Sequence, residues 1–197
     1  MDRSVESFLR SELSKTDVMI RDILADQDFV SKIEKLVEIC TKCFLEGNKL
    51  IFAGNGGSAA EAQHMAGEYV NRFRFERPPL PAIALTTDTS ILTAISNDYS
   101  FDEIFSRQIQ ALGKSGDVFL AYSTSGNSLN ILKALNVAHE NGLVTVGFTG
   151  THDKEMSRYC DLVISLPSGD TPIIQHGHTM LGHLLVEIVE LEIFENI

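Results

Sequence analysis

LIFAGNGGSAAEAQHMAGEYVNRF, residues 50–73, joins a short apolar run to a glycine turn and then to a helical pattern. The run KLIFAG follows a break in helical periodicity at Gly47 and reads as a buried strand that ends on Gly54. Gly54, Gly56 and Gly57 permit positive φ and close backbone approach. The helix predicted over about 58–73 then points unpaired N–H groups at whatever sits on the turn. Strand, glycine turn and helix in that order open a βα fold.

The same alternation recurs outward from this stretch. AIAL (82–85) precedes a predicted helix over 88–96, with another over 101–112. DVFLAYS (117–123) leads to a helix over 127–141, and LVTVGFT (143–149) to a short helix over 153–159. DLVISL (161–166) is the last strand, and a long helix over 172–194 closes the pattern. Upstream, helices are predicted over 3–25 and 29–46, the second carrying Phe29, Ile33, Leu36, Val37, Cys40 and Phe44 at helical spacing. Strands that are apolar throughout imply a parallel sheet covered on both faces. The expected fold class is α/β: a doubly wound parallel sheet flanked by helices, with an N-terminal helical arm over about 1–46, all in one domain spanning 1–197. The arm's first helix carries Val5, Phe8, Leu9, Leu13, Ile20, Ile23 and Leu24, so it needs a partner face, on its own domain or in an oligomer.

Composition narrows the function classes. The formal net charge of −11 leaves little material for a phosphate-neutralising basic stripe, so nucleic-acid binding is not expected. No apolar run approaches the roughly 20 residues of a membrane span. The charged start MDRSVESFLRSELSKTDVMI lacks a signal-peptide core, and the expected location is the cytoplasm. Cys40, Cys43 and Cys160 are an odd set that fits a reducing compartment. Cys40 and Cys43 form a C-x-x-C inside a helical pattern with no second such pair, and read as core residues.

Two loops carry the chemistry expected where strands end at a switch in a doubly wound sheet. GNGGS (54–58) is neither G-x-G-x-x-G nor a G-K-[ST] loop, which disfavours nucleotides. STSGNS (123–128) offers hydroxyls at Ser123, Thr124, Ser125 and Ser128. Alone, such a loop is as readily a turn and helix cap. With both loops in one short domain, a sugar-phosphate cradle is the better reading. Beyond the glycine turn, His64 and Glu68 lie four apart on one helical face. The last helix adds Gln175, His176, His178 and His183, with Gln175 and His183 about 80° apart around its axis. Spacing leaves two readings open: surface hydrogen bonding, or a zinc-like site of imidazole, carboxylate and amide oxygen.

AGNGGSAAEAQHMAGEYVNRF, LPAIALTTDTSILTAISNDY, STSGNS and the Gln175–His183 segment together resemble the bacterial phosphoheptose isomerases of the sugar-isomerase (SIS) domain superfamily, over essentially the whole chain. The resemblance implies a homotetramer with active sites at subunit interfaces. It implies conversion of sedoheptulose 7-phosphate to D-glycero-D-manno-heptose 7-phosphate, the first step towards the ADP-heptose of lipopolysaccharide. It further implies one zinc per subunit on His64, Glu68, Gln175 and His183. Substrate contacts would come from Asn55, Gly56, Gly57, Glu68, Asn97, Asp98, Ser123, Thr124, Ser125, Ser128 and Gln175, with Glu68 as base and His183 as acid. One position departs from the family pattern: His176 stands where a glutamate commonly follows the glutamine, and offers a competing ligand. The alternative within the same superfamily is a non-catalytic binding protein that associates with the replication initiator; Glu68 and His183 together favour the enzyme.

Overall fold

The computed structural model describes residues 4–195. Five parallel strands form one sheet in the order β2-β1-β3-β4-β5: β1 (Leu50–Gly54), β2 (Ala82–Ala84), β3 (Val118–Tyr122), β4 (Val144–Thr149) and β5 (Leu162–Ser165). Because β2 lies outside β1 and β3 continues on its other side, the chain reverses direction across the sheet between β1 and β3. That is the switch point at which doubly wound folds bind ligands. Residues at the ends of these two strands are in register, Gly54 beside Tyr122, so the glycine and Ser/Thr loops emerge side by side.

Seven α-helices cover the sheet: α1 (Val5–Ala25), α2 (Gln27–Leu45), α3 (Gly57–Val70), α4 (Thr89–Asp98), α5 (Ser106–Leu112), α6 (Leu129–Glu140) and α7 (Thr171–Phe194). Alternate strand residues feed two cores, which is why no polar alternation shows in the strands. Leu50 and Phe52 join Met65, Tyr69, Ile174, Leu185 and the α1–α2 arm on one face. Ile51 and Ala53 join Phe105, Ile109, Ile131 and Leu135 on the other. Asp26 ends α1 and starts α2, its carboxylate accepting from the N–H groups of Asp28 and Phe29. Gly47, at φ 74°, ends α2 in the left-handed conformation. Among the described residues no helix is long and apolar enough to cross a membrane.

Two expectations change. The helix expected over 101–112 is broken into a 3-10 turn (Phe101–Glu103) and α5, and the one over 153–159 is only the 3-10 turn Met156–Arg158. Helix α4 forms as expected but buries none of its residues, leaving Ile91 at the surface near exposed Tyr99 and Phe101. Cys40 and Cys43 are free, buried thiols. Burial, then the Asp117 carboxylate, pushes the Cys43 thiol up to about 12, so it is a packing residue.

Candidate active site

The glycine loop is built for a close approach. Gly56 has φ 57° and begins α3 without a side-chain cap, and the N–H groups of Ser58 and Ala59 donate to the carbonyls of Asn55 and Gly56. A Cβ on Gly57 would collide with the Gln175 amide, so the first turns of α3 and α7 meet there. Asn55 is held from the other side by a reciprocal amide pair with buried Asn130 of α6, both bonds 2.9 Å. The adjacent loop follows β3. Buried Ser123 donates to Ser128 Oγ at 3.1 Å, and Ser128 begins α6 with no side-chain bond to the helix backbone. The Ser125 hydroxyl accepts from the Asn127 N–H, and Gly150 N–H donates to the Thr124 carbonyl. Loop hydroxyls and the N-termini of α3 and α6 thus line the carboxyl ends of β1 and β3, a setting for an anion in a chain of net charge −11.

A second group lies along the contact of α3 with α7. His64 Nε2 faces His183 Nε2 at 2.7 Å, and Glu68 Oε1 lies 3.6 Å from His64 Nε2. Ligand atoms of His64, Glu68 and His183 all fall within 4.8 Å of one another. Two imidazole nitrogens in line need a proton or a cation between them, since facing lone pairs repel. Two nitrogens and a carboxylate oxygen, part-exposed, can hold a divalent ion.

The SIS domain family matches residues 12–150. A phosphoheptose isomerase of Burkholderia pseudomallei (strain 1710b) is 49% identical over 194 residues, covering 98% of each chain. Solved phosphoheptose isomerase structures superpose closely: one from Neisseria gonorrhoeae at TM-score 0.88 and 34% identity, covering 95% of this chain and 99% of its own, and one from Francisella tularensis at TM-score 0.89 and 32% identity, covering 94% and 98%. The chain belongs to the phosphoheptose isomerase family. It is an isomerase, and the matched relatives favour that reading over an initiator-binding module.

Within this phosphoheptose isomerase fold, the residues expected at the site divide. His64, Glu68 and His183 are brought together, as are Asn55, Gly56, Gly57 and Gln175 at one loop. Gln175 stands at the glycine-loop end of α7, and eight residues, about 12 Å of helix rise, separate it from His183. His176 is exposed and outside the trio. His178 is buried between Tyr122 and Phe148, and burial pulls its pKa down to about 4, so it is a neutral core residue rather than a proton carrier. Asn97 and Asp98 end exposed α4 and bond to each other at 2.8 Å.

Sequence reasoning missed several supports. Asn130 orients Asn55, and Phe73 stacks on the His183 ring at 5.6 Å and 28°. Glu61, one turn before His64, accepts from Thr179 at 2.6 Å while its other oxygen is buried without a protein partner. Polar residues in otherwise apolar helix stretches were the available signal for Asn130, Glu61 and Thr179.

Proposed function

We propose that the protein interconverts sedoheptulose 7-phosphate and D-glycero-D-manno-heptose 7-phosphate through an enediol, the first step towards ADP-heptose of lipopolysaccharide, and does so in the cytoplasm. The observation that carries this is the His64–Glu68–His183 trio, held on the two helices whose first turns meet at the switch-point loop. The sugar's phosphate would rest on the hydroxyls of Ser123, Thr124, Ser125 and Ser128, which fixes the far end of the chain and turns binding into orientation. Asn55, Gly56, Gly57 and Gln175 would face the sugar backbone, with Asn97 and Asp98 reaching the same substrate from α4.

Moving a proton between C1 and C2 requires a base at carbon and an acid at oxygen. Glu68 is the base: its Oε1 faces His64, leaving Oε2 to take the proton from carbon. His183 is the acid, using Nδ1, because its Nε2 faces His64. His64, Glu68 and His183 would hold zinc, which when bound polarises the carbonyl oxygen. Gln175, the fourth zinc ligand that the resemblance implies, would also meet the substrate from its place against Gly57.

The homotetramer is part of this proposal, and the apolar surface supports self-association. Val5, Phe8, Leu9 and Leu13 of α1 are all more than half exposed, α4 buries nothing, and α2 and α7 leave an open apolar groove of about 880 Å³. So much apolar surface calls for further copies of the chain. Light scattering should report a tetramer, and Phe8→Glu should dissociate it.

The test of the activity is consumption of sedoheptulose 7-phosphate by protein as isolated, after chelation and after zinc is restored. Turnover that disappears with the chelator and returns with zinc is expected. Turnover untouched by chelation would remove the metal and keep the isomerase. No turnover from folded protein in any condition would overturn the reading.

A further inference from the structure

Arg77 and Glu190 belong to neither loop nor trio, yet they form the most completely buried ion pair in the described residues. Their side chains are 1% and 0% exposed, with Nε to Oε1 at 2.7 Å. Most remaining bonds of the pair lead back towards the site. Arg77 Nη2 donates to the Glu68 carbonyl at 3.0 Å, and Nη1 donates to the carbonyls of Tyr69, Asn71 and Pro78. Glu68 and Tyr69 are in the last turn of α3, where carbonyls have no helical partner, so the guanidinium caps the turn that carries Glu68. Glu190 accepts from the N–H groups of Phe73 and Arg74 at 3.0 and 2.8 Å. That pins Phe73 where its ring lies on His183. Glu190 is also seven residues after His183, on nearly the same face of α7. Burial alone would raise the Glu190 carboxyl. The N–H groups of Arg74 and Phe73 and the Arg77 guanidinium outweigh it and hold the carboxyl below its ordinary value.

We propose that the Arg77–Glu190 pair is a positioning device for the His64–Glu68–His183 trio, acting on Glu68 through the capped turn of α3 and on His183 through the Phe73 ring. The pair holds the two helices at the separation and the two side chains in the orientation that a shared ion and a shared substrate require. Lysine at 77 would keep the charge and lose the planar fork of donors, so it cannot hold Glu190 and four carbonyls at once. The zinc part of this inference rests on the proposed metal reading of the trio, whereas the ring contact does not.

The test uses the intact protein with Arg77→Lys, Phe73→Leu and Phe73→Tyr, each checked for folding by circular dichroism and thermal midpoint. Zinc affinity is read by competition with a chromogenic chelator. The Hε1 resonance of His183, which the Phe73 ring current displaces, is read in metal-free protein, and kcat and KM are separated. Folded Arg77→Lys and Phe73→Leu should bind zinc roughly 10-fold more weakly or worse, the cost typical of losing a group that orients a metal ligand. They should also shift the His183 resonance and lower kcat at nearly unchanged KM, while Phe73→Tyr behaves as wild type. A folded Arg77→Lys or Phe73→Leu with wild-type zinc affinity and an unmoved His183 resonance would overturn the proposal. Should Arg77→Lys fail to fold, the zinc affinity and kcat of Phe73→Leu decide, since removing the ring moves the resonance by itself. If the wild type takes up no zinc, the metal reading fails by itself, and the His183 resonance of folded Arg77→Lys, which keeps the Phe73 ring, still decides the positioning role.

Discussion

Helices α3 and α7 meet through charged and polar groups at two levels. At one, His64, Glu68 and His183 stand part-exposed, with two imidazole nitrogens facing each other and few other partners. At the other, Arg77 and Glu190 are out of solvent and six further hydrogen bonds surround them. Charges sealed from water must be satisfied by the protein itself, because an unpaired buried charge costs several kcal/mol. Charges left open and under-partnered are free to engage something that arrives. The contrast separates a buried junction between α7 and the loop that follows α3 from an open one between α3 and α7 themselves.

The contrast can be broken by substitution. Glu68→Gln should have the largest effect, lowering turnover of sedoheptulose 7-phosphate by about 10²–10⁴-fold, the range for loss of a general base, while the thermal midpoint stays near wild type. Equal loss of stability would mean that the open group is structural after all. Glu190→Leu should act first on stability, reducing unfolding free energy by about 3–5 kcal/mol in a urea titration, since it leaves Arg77 charged and buried.

Acid sharpens the comparison with a third polar residue. His178 is buried like Arg77 but has no counter-ion, and its pKa falls from 6.5 to about 4. The unfolded chain therefore binds a proton in this window that the folded chain refuses. Its contribution to stability is complete above about pH 6.5 and lost as pH falls towards 4, roughly 2–4 kcal/mol in all. His178→Gln should flatten the dependence of the thermal midpoint on pH between those values; an unchanged slope would assign the acid loss elsewhere. The smallest effect is expected midway along the helices. Thr179→Val removes the donor to Glu61, which retains a second unpartnered oxygen, and should cost about 1 kcal/mol in the same urea titration.

Much of the fold was legible because its signals are local. Each apolar strand closes on a turn, and each long helix announces itself by spacing. The exceptions are segments whose state depends on distant neighbours. Residues 101–112 have helical composition, yet the chain turns at Ile104 and Phe105 to bury both against the sheet, which breaks the helix in two. At the site, GNGGS, STSGNS and the His64/Glu68 spacing could be read directly, since each sits within a few residues of chain. Gln175 and His178 could not be ordered by function, because helix spacing gives an angle and says nothing about which neighbour fills it.

The amino-acid sequence by itself determined a doubly wound α/β domain with a helical arm, two anion-ready loops and a family resemblance spanning the chain. Those follow from hydrophobic period, glycine placement and short motifs, all properties of contiguous residues. Only the tertiary structure decided that α3 and α7 run side by side from Gly57 and Gln175 to Glu68 and His183, and that Arg77 reaches Glu190 across 113 residues. Pairings of that kind arise from packing two helices onto one sheet face, where contact depends on register between distant segments rather than on either segment alone.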